Sequence, residues 1–369
     1  TGHYFVVSVA FDFWDNNTIR LESGDGTVPD FALTHITNNI AEPSASTNRY
    51  VNTSSQGTGD GTSEANAATL SYAFANAQSG ETWWVKAGDY GDLSISVSNS
   101  GTATSPIKFI GYKTTITSGL SDITSNYWDY GTAWSNSEMP SLTGTDRSTS
   151  GITCVNDNVI FKNFQVRNYG AGFKFTGATN VIFERCNAID IWDTGGGGYG
   201  FSHFSNSNPA NVGSNNRLLD CRGTNGLAVF WMGAGKSLVK DCKAYGDRAI
   251  STDGWVNYYY LIEGDNSIYL NSKCKGVGDV DGGEHTFSAR NVNGTSTEHN
   301  LIEDCTSTNM GKAVELRNTE SNYNVVRGFR SYGEGTGSSN TGGVVIRDNS
   351  NYNIVENCFL ELSANGSAF

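Results

Sequence analysis

The chain is poor in charge, proline and long apolar runs, and each shortage excludes a class of protein. Charged residues make up 17% of 369 residues, and only 5 residues are proline. No run approaches the roughly 20 apolar residues of a membrane-spanning helix. Basic residues number 24 against 37 acidic ones, a net charge of −13. That balance excludes a general nucleic-acid binder, because such a protein needs a basic surface.

What the sequence does contain favours strands and turns. Aromatic residues reach 12%, which argues against a disordered chain, and there are 44 glycines. Short apolar runs alternate with segments rich in Gly, Asn, Ser and Thr, a pattern that predicts an all-β protein with many turns. An acidic surface with few lysines is typical of a protein outside the cell, either secreted or on a virion.

Internal repetition is the strongest signal. Each copy has a polar turn, two or three apolar residues, two polar residues and then Cys or Phe. Seven steps from Phe164 to Cys358 give roughly 28 residues a turn. The steps are too uneven for an array of helical repeats, so the pattern predicts a β-helix with constant strands and variable loops. Cys274 closes a further copy slightly out of register, and the other copies are 158–164, 180–186, 215–221, 236–242, 300–305, 323–329 and 352–358.

A different pattern precedes the repeats. The Ala-rich stretch 67–77 predicts a short helix, and 80–90 and 105–112 read as the first strands of the coil. A helix at this place would cover the open end of the solenoid and its bare strand edges.

Residues 50–112 resemble the N-terminal cap and first turn of pectate-lyase-like proteins. In style they are most similar to the alginate and chondroitin lyases of polysaccharide lyase family six, and the similarity spans roughly 48–362. The resemblance implies a single-stranded right-handed parallel β-helix, a solenoid, with a short N-terminal capping helix. It says less about activity, because this fold also carries hydrolases, epimerases, phage tailspikes and adhesins.

Two segments do not fit the repeat. Residues 1–47 read as an extra β segment for attachment or packing, and residues 48–369 as the β-helix. Residues 114–150 read as a long excursion between turns, and long ordered loops are often functional.

The cysteines predict an inward ladder. Six of the 7 cysteines occupy or adjoin one position of the repeat, so successive turns stack them. Disulfides between neighbouring rungs are disfavoured, because their Cα–Cβ vectors would run parallel.

Three arginines share another repeat position. Arg290, Arg317 and Arg347 each follow an apolar residue and precede Asn or Asp, which predicts that they stack on one face. Three neighbouring guanidinium groups require anions between them. Glu315 and Asp348 are internal candidates, and otherwise the row is a site for uronate carboxylates or sulfates.

The densest group of acid–base residues lies just before Arg290. Asp279, Asp281, Glu284 and His285 fall within seven residues, and His285 is the best candidate for proton transfer. The alternative is a turn capped by Asp, with a His whose hydrogen bonds are satisfied. Asp279 and Asp281 are weak candidates for Ca²⁺ ligands, because no full EF-hand loop is present.

Aromatic residues near predicted loops are candidates for lining a sugar groove. Trp231, Trp255 and Tyr258 are assigned to substrate binding, although packing of loops on the coil accounts for them equally well.

These residues favour a carbohydrate-active protein that cleaves an acidic polysaccharide by β-elimination. His285, Arg290 and Arg317 are the candidate catalytic residues, and Arg347 and Glu284 the candidate substrate-binding residues. Family-six lyases use a Lys and Arg pair. No Lys aligns before His285 here, which leaves Lys275 or Lys312 to approach from a loop.

Two alternatives stay open. Ser251-Thr-Asp-Gly254, Asp265, Gly283-Glu-His285 and Arg317 partly match the motif order of polygalacturonases, which are hydrolases with paired carboxylates. The other alternative is a glycan-binding or structural β-helix, such as a virion spike, decoration protein or adhesin, assembled as a homotrimer or in a larger array. No coiled-coil heptad is present to enforce a trimer.

Overall fold

The computed structural model describes residues 47–192, 198–203, 213–233, 235–246, 258–276, 285–290, 296–334 and 342–362. Short strands dominate these residues, with one 3₁₀ turn, Glu64–Asn66, and one helix, α1, Leu70–Asn76.

The first strands, up to the third full turn, are β1 (Thr47–Val51), β2 (Glu81–Lys86), β3 (Gly88–Asp89), β4 (Ile95–Ser96), β5 (Ile107–Tyr112), β6 (Ile116–Thr117), β7 (Leu120–Ser121), β8 (Pro140–Thr143), β9 (Ser150–Thr153), β10 (Val159–Lys162), β11 (Gln165–Arg167) and β12 (Ala171–Lys174). The middle turns hold β13 (Ile182–Glu184), β14 (Asn187–Ile189), β15 (Tyr199–Ser202), β16 (Arg217–Leu219), β17 (Arg222–Thr224), β18 (Ala228–Met232), β19 (Leu238–Lys240), β20 (Lys243–Tyr245) and β21 (Tyr258–Ile262). The last turns hold β22 (Ile268–Leu270), β23 (Lys273–Lys275), β24 (His285–Arg290), β25 (Leu301–Glu303), β26 (Thr306–Thr308), β27 (Lys312–Arg317), β28 (Val325–Arg327), β29 (Arg330–Glu334), β30 (Gly342–Ile346), β31 (Ile354–Glu356) and β32 (Phe359–Leu362).

The strands form three long parallel sheets. The first runs β1-β2-β5-β10-β13-β16-β19-β22-β25-β28-β31, the second β3-β8-β11-β14-β17-β20-β23-β26-β29-β32, and the third β4-β9-β12-β15-β18-β21-β24-β27-β30. Each full turn adds one strand to each sheet, and the β6–β7 hairpin alone is antiparallel among the described strands. The predicted all-β, right-handed parallel β-helix is therefore confirmed.

The corners of the coil are made by residues with left-handed backbone. In the turn that holds β10 and β11, Asn158, Asn163 and Asn168 have φ of 56°, 61° and 61°. The first two flank the strand of the first sheet and lie five residues apart. Equivalent pairs, five residues apart, recur in later turns at 180 and 185, 215 and 220, 236 and 241, 266 and 271, 299 and 304, 323 and 328, and 352 and 357. Asn, Asp and Gly adopt this conformation at least cost, which explains the Asn-rich turns.

Stacked aromatic rings fill the interior beneath the third sheet. Phe173, Phe201, Phe230, Tyr260 and Phe287 occupy one inward position in successive turns, with centroid separations from 4.3 to 5.2 Å. Alternation along each strand points these rings into the core and turns their neighbours outward.

The cysteines lie at a different corner of the same core. Cys186, Cys221, Cys242, Cys305 and Cys358 each directly precede a strand of the second sheet, and the first four are fully buried. Cys274 lies inside its strand instead, opposite Ala244 and Ser307. All seven cysteines are free thiols.

The short helix α1 covers the N-terminal end of the coil. Thr69 caps it by accepting a hydrogen bond from the Tyr72 backbone N–H at 3.2 Å. Phe74 stacks on Phe109 at 4.4 Å and contacts Phe161 at 5.9 Å, so the helix closes the core. The predicted capping helix is confirmed.

Of the two segments that do not fit the repeat, one lies mostly outside the described residues and the other is shorter than predicted. Most of the segment predicted as an attachment or packing unit, residues 1–46, lies outside the described residues, so this division stays a prediction. The excursion predicted over 114–150 is shorter than expected, because β8 already belongs to the second sheet. Within the described part of the chain, no helix is long and apolar enough to cross a membrane.

Candidate functional site

The candidate site lies on the outer face of the third sheet, in its C-terminal turns. Strands β24 and β27 run in register, so His285 lies opposite Lys312 and Arg290 opposite Arg317. Between them, Ser288 lies opposite Glu315. Neighbouring strands are about 4.8 Å apart, which brings these side chains into direct contact.

His285, Lys312 and Glu315 form a buried hydrogen-bonded triad. Lys312 Nζ donates to Glu315 Oε1 at 3.0 Å and lies 2.8 Å from His285 Nε2. His285 Nε2 also lies 3.2 Å from Glu315 Oε2. The three residues are 2%, 4% and 0% exposed for His285, Lys312 and Glu315 respectively. Such burial excludes water and strengthens every electrostatic contact within the triad.

The triad sets the charge states of its members. Burial by itself would raise the pKa of Glu315, but hydrogen bonds and charge from His285 and Lys312 outweigh it and hold that pKa well below its usual range. Burial lowers the pKa of His285, and the hydrogen bond to Glu315 only partly offsets this. Near neutral pH, Glu315 is therefore a carboxylate and His285 a neutral imidazole.

Two arginines extend the cluster towards solvent. Arg347 Nη2 lies 2.9 Å from Glu315 Oε1, and Arg317 Nη1 lies 3.5 Å from Glu315 Oε2. Their side chains are 38% and 25% exposed. One buried carboxylate thus faces Lys312 and both arginines, which leaves an excess of positive charge on a chain of net charge −13.

The anion inside the arginine row is Glu315 rather than Asp348. Asp348 Oδ2 is 3.6 Å from Arg347 Nε, and its side chain is 54% exposed, so water screens that contact. Arg290 lies directly opposite Arg317, and the Arg347 backbone N–H donates to Leu316 O at 3.0 Å, so the three arginines occupy neighbouring turns.

A second carboxyl group lies at the start of this row. Glu263 follows the last residue of β21 and is 4% exposed. The Trp231 indole N–H donates to Glu263 Oε2 at 3.0 Å. Burial raises the pKa of Glu263 to about 7, against smaller lowering effects of Trp231 and Arg290. Sequence analysis missed this residue, although it follows Ile262 just as Arg290 follows Ala289.

The structure revises the expected lysine. Lys312 is the first residue of β27 and lies opposite His285, instead of approaching from a loop. The other candidate, Lys275, lies on the second sheet with its Nζ 4.8 Å from the centroid of the Tyr130 ring. It is therefore on a different face of the coil from His285.

The structure also revises Trp231. The sequence placed it in or beside a loop, either lining a sugar groove or packed on the coil; it lies within β18 and is 8% exposed, which agrees with packing. Its ring packs against Tyr199, with centroids 4.6 Å apart. Tyr258 begins the next strand, opposite His285. The remaining candidates, Trp255, Asp279, Asp281 and Glu284, lie outside the described residues.

Of the described residues that suggested a hydrolase, His285 and Arg317 lie at this site and Asp265 does not. Asp265 lies at a corner, where its carboxylate accepts hydrogen bonds from Ser296 Oγ at 2.5 Å and the Glu298 backbone N–H at 2.7 Å. Asp253 lies outside the described residues. Among the residues that the structure describes, no three His, Cys, Asp or Glu side chains form a group that could hold a metal ion.

Comparison with known proteins identifies the fold but no family. No protein-family model matches the chain, and no curated protein matches it. A solved pectate lyase, Pel9A, is similar with a TM-score of 0.52 at 15% identity, over 86% of this chain and 79% of that one. At this identity the likeness shows the fold alone, and it confirms the resemblance to pectate-lyase-like β-helices at that level.

Two further solved structures are similar at lower scores. One is a mannuronic acid specific polysaccharide family 6 lyase from human gut microbiota, with a TM-score of 0.49 and 14% identity over 79% of this chain and 61% of that one. The other is ORF18 of Geobacillus virus E2, with a TM-score of 0.43 and 12% identity over 78% of this chain and 58% of that one.

Proposed function

We propose that this protein binds an acidic polysaccharide across the third sheet and cleaves it by β-elimination. The observation that carries the proposal is the cation-rich cluster around Glu315, in which one buried carboxylate faces Lys312, Arg317 and Arg347. An anionic sugar supplies the negative charge that the cluster lacks. A surface of net charge −13 would otherwise repel such a polymer.

The partly exposed arginines are assigned to the substrate carboxylate. A guanidinium group binds a carboxylate through two parallel hydrogen bonds. Neutralising the uronate carboxylate makes the neighbouring C5 proton more acidic, which lowers the barrier to its removal. Arg317 and Arg347 retain the exposure that this contact needs, since their side chains are 25% and 38% exposed.

Proton transfer is assigned to Lys312 and His285. Neutral His285 takes a proton from the Lys312 ammonium across their 2.8 Å contact, and Glu315 stabilises the resulting imidazolium. The Lys312 amine then removes the C5 proton, the C4–O bond breaks as the C4=C5 double bond forms, and the Lys312 ammonium passes that proton to the leaving oxygen. The His285 imidazolium then returns its proton to the Lys312 amine, which restores the starting charge states. Because Lys312 is 4% exposed, the step requires that substrate binding uncovers its Nζ.

The fold likeness agrees with this chemistry. Pel9A, which shares the fold, is a pectate lyase. Since one fold hosts many activities, the assignment depends on the residues of the third sheet and the likeness only adds to it. Action on a polysaccharide also fits the extracellular or virion location expected from the composition.

The test is release of the unsaturated uronate product, followed by its ultraviolet absorbance. The protein is incubated with alginate, pectate and chondroitin sulfate, with and without Ca²⁺, since Asp279 and Asp281 stay candidate ligands. We expect product on at least one polymer, its loss in Lys312→Met, and normal activity in Arg327→Ala, a control on the first sheet. Absence of product on all three polymers contradicts the proposal, and new reducing ends without the absorbance favour a hydrolase.

Burial of the triad favours a second candidate function, binding of an acidic glycan without cleavage. His285 and Lys312 are 2% and 4% exposed, as expected of residues that only position the arginines. In that case the wild-type protein binds oligouronates without turnover, and Lys312→Met weakens binding by disturbing the carboxylate that holds the arginines. A spike, decoration protein or adhesin would behave in this way.

A further inference from the structure

Glu263 is buried, and one of its two carboxyl oxygens has no hydrogen-bond partner among the described residues. Its backbone N–H donates to Met232 O at 3.0 Å, so it continues the third sheet. Oε2 accepts the Trp231 indole N–H, while Oε1 accepts no hydrogen bond from any described residue. A buried oxygen without a partner is costly, and more so when the group is ionised. The arrangement therefore favours the neutral acid, whose O–H is a hydrogen-bond donor without an acceptor among the described residues.

The position of Glu263 ties it to the arginine row. Ile262 lies opposite Ala289, so the next residues along the two chains, Glu263 and Arg290, lie side by side. Arg290 lies opposite Arg317, and Arg347 follows in the next turn. Glu263 thus begins a row that crosses four neighbouring strands, with about 4.8 Å between neighbours. A polymer lying along this row passes over Glu263 and Arg290 beside the place assigned to the reacting sugar. Because Glu263 is 4% exposed, contact requires that binding uncovers its carboxyl group.

We propose that Glu263, as a neutral acid, together with Arg290 binds the carboxylate of a second uronate adjacent to the one held by Arg317 and Arg347, and that its ionisation closes this subsite. The inference rests on the proposed function and names its substrate as a polymer with consecutive acidic sugars. Once ionised, Glu263 repels that carboxylate and pairs with Arg290 instead.

The other charged groups near Glu263 leave it as the group that titrates near neutrality. Strand β18, on one side, carries no ionisable residue. Strand β24, on the other side, carries Arg290 next to Glu263 and His285 at its far end. The pKa of His285 is lowered, so its imidazole is already neutral. Farther along the row, the pKa of Glu315 lies well below its usual range.

The test measures binding without turnover. A tetrasaccharide of galacturonate or mannuronate, whichever polymer is bound, is titrated calorimetrically into Lys312→Met and into Lys312→Met with Glu263→Gln. The pH runs from about 6 to about 8.5, on both sides of the Glu263 pKa of about 7. For the protein that keeps Glu263, the dissociation constant should rise about tenfold one pH unit above that midpoint, because only the neutral fraction binds. With Gln, which keeps a donor but cannot ionise, it should stay flat.

The outcomes separate this inference from the proposed function. If the dissociation constant depends on pH in the same way with Glu263 and with Gln, whether it stays constant or rises, the inference is wrong. The proposed function is not affected by that result. No binding at any pH overturns both. An alternating oligomer, in which neutral sugars separate the uronates, should bind without the pH dependence, and the same rise with that ligand would contradict the assignment to a second carboxylate. Glu356→Gln, on the first sheet, is the matched control.

Discussion

Two rows of charged side chains are stacked in the same way on this coil. One row alternates between acidic and basic residues, and the other repeats basic residues. On the first sheet, Arg327 lies between Glu303 and Glu356, with contacts of 3.1 and 2.7 Å, so acid and base alternate from turn to turn. On the third sheet, Arg290, Arg317 and Arg347 repeat one sign, and the anion comes from one buried carboxylate. Alternating signs satisfy each other, whereas a repeated sign leaves charge for a ligand.

The largest expected effect is that of Glu315→Gln. Removing this carboxylate leaves Lys312 buried without its counter-ion and the arginines unopposed, so the free energy of unfolding should fall by about 3–5 kcal/mol. Denaturant unfolding measures the change. The matched change Glu303→Gln, in the alternating row, should cost less than about 1 kcal/mol. Equal losses in the two variants would erase the distinction between the rows.

Glu263→Gln should alter how stability depends on pH. The pKa of Glu263 is raised from 4.5 to about 7 in the folded chain. Its contribution is therefore fully present below pH 4.5 and is lost as pH rises through about 7. The loss amounts to roughly 3 kcal/mol at most. Unfolding free energies measured across this range should fall for the wild type relative to Glu263→Gln, and parallel curves would contradict the raised pKa.

Arg347→Ala tests whether the repeated row serves a ligand. Because Arg347 helps to neutralise the carboxylate that acidifies the C5 proton, its loss should lower kcat/KM about tenfold, or about 1.4 kcal/mol, with a fall in kcat. Steady-state kinetics on the preferred uronate polymer checks this. A rise in KM with kcat unchanged would instead limit Arg347 to binding the polymer.

Arg327→Ala should have the smallest effect. Its side chain is 20% exposed and its partners Glu303 and Glu356 are 16% and 33% exposed, so solvent screens both contacts. Thermal or denaturant unfolding should show a loss of about 0.5–1 kcal/mol for this pair of contacts. KM for the polymer should stay unchanged, and an increase would extend the binding surface onto the first sheet.

The fold was readable from the sequence because its corners and strands repeat. Left-handed corners favour Asn, Asp or Gly, which hold most of them, and many inward positions hold Phe or Cys, so both leave a periodic trace in the sequence. The arginine row was readable for the same reason. Sequence analysis missed Glu263, although the same alignment places it one turn before Arg290.

The contacts of the site were harder to read. The pairing of His285 with Lys312 depends on how many loop residues separate β24 from β27, and no local pattern fixes that number. Burial of Trp231 was hidden as well, because a strand that follows a Gly-rich stretch looks like the edge of a loop. Register between turns decides both, and register is a property of the assembled coil.

The five-residue spacing between left-handed corners has a consequence for engineering. From β10 onwards, the first-sheet strand between its two left-handed corners and the short step to the second sheet keep a constant length, while the other two connections of each turn vary. Foreign peptides grafted at the borders of the third sheet should therefore be accommodated. By contrast, one residue inserted between Asn158 and Asn163 should shift the register of the strands in that turn. The constant first-sheet segment fixes the register between turns, and the borders of the third sheet tolerate inserted residues.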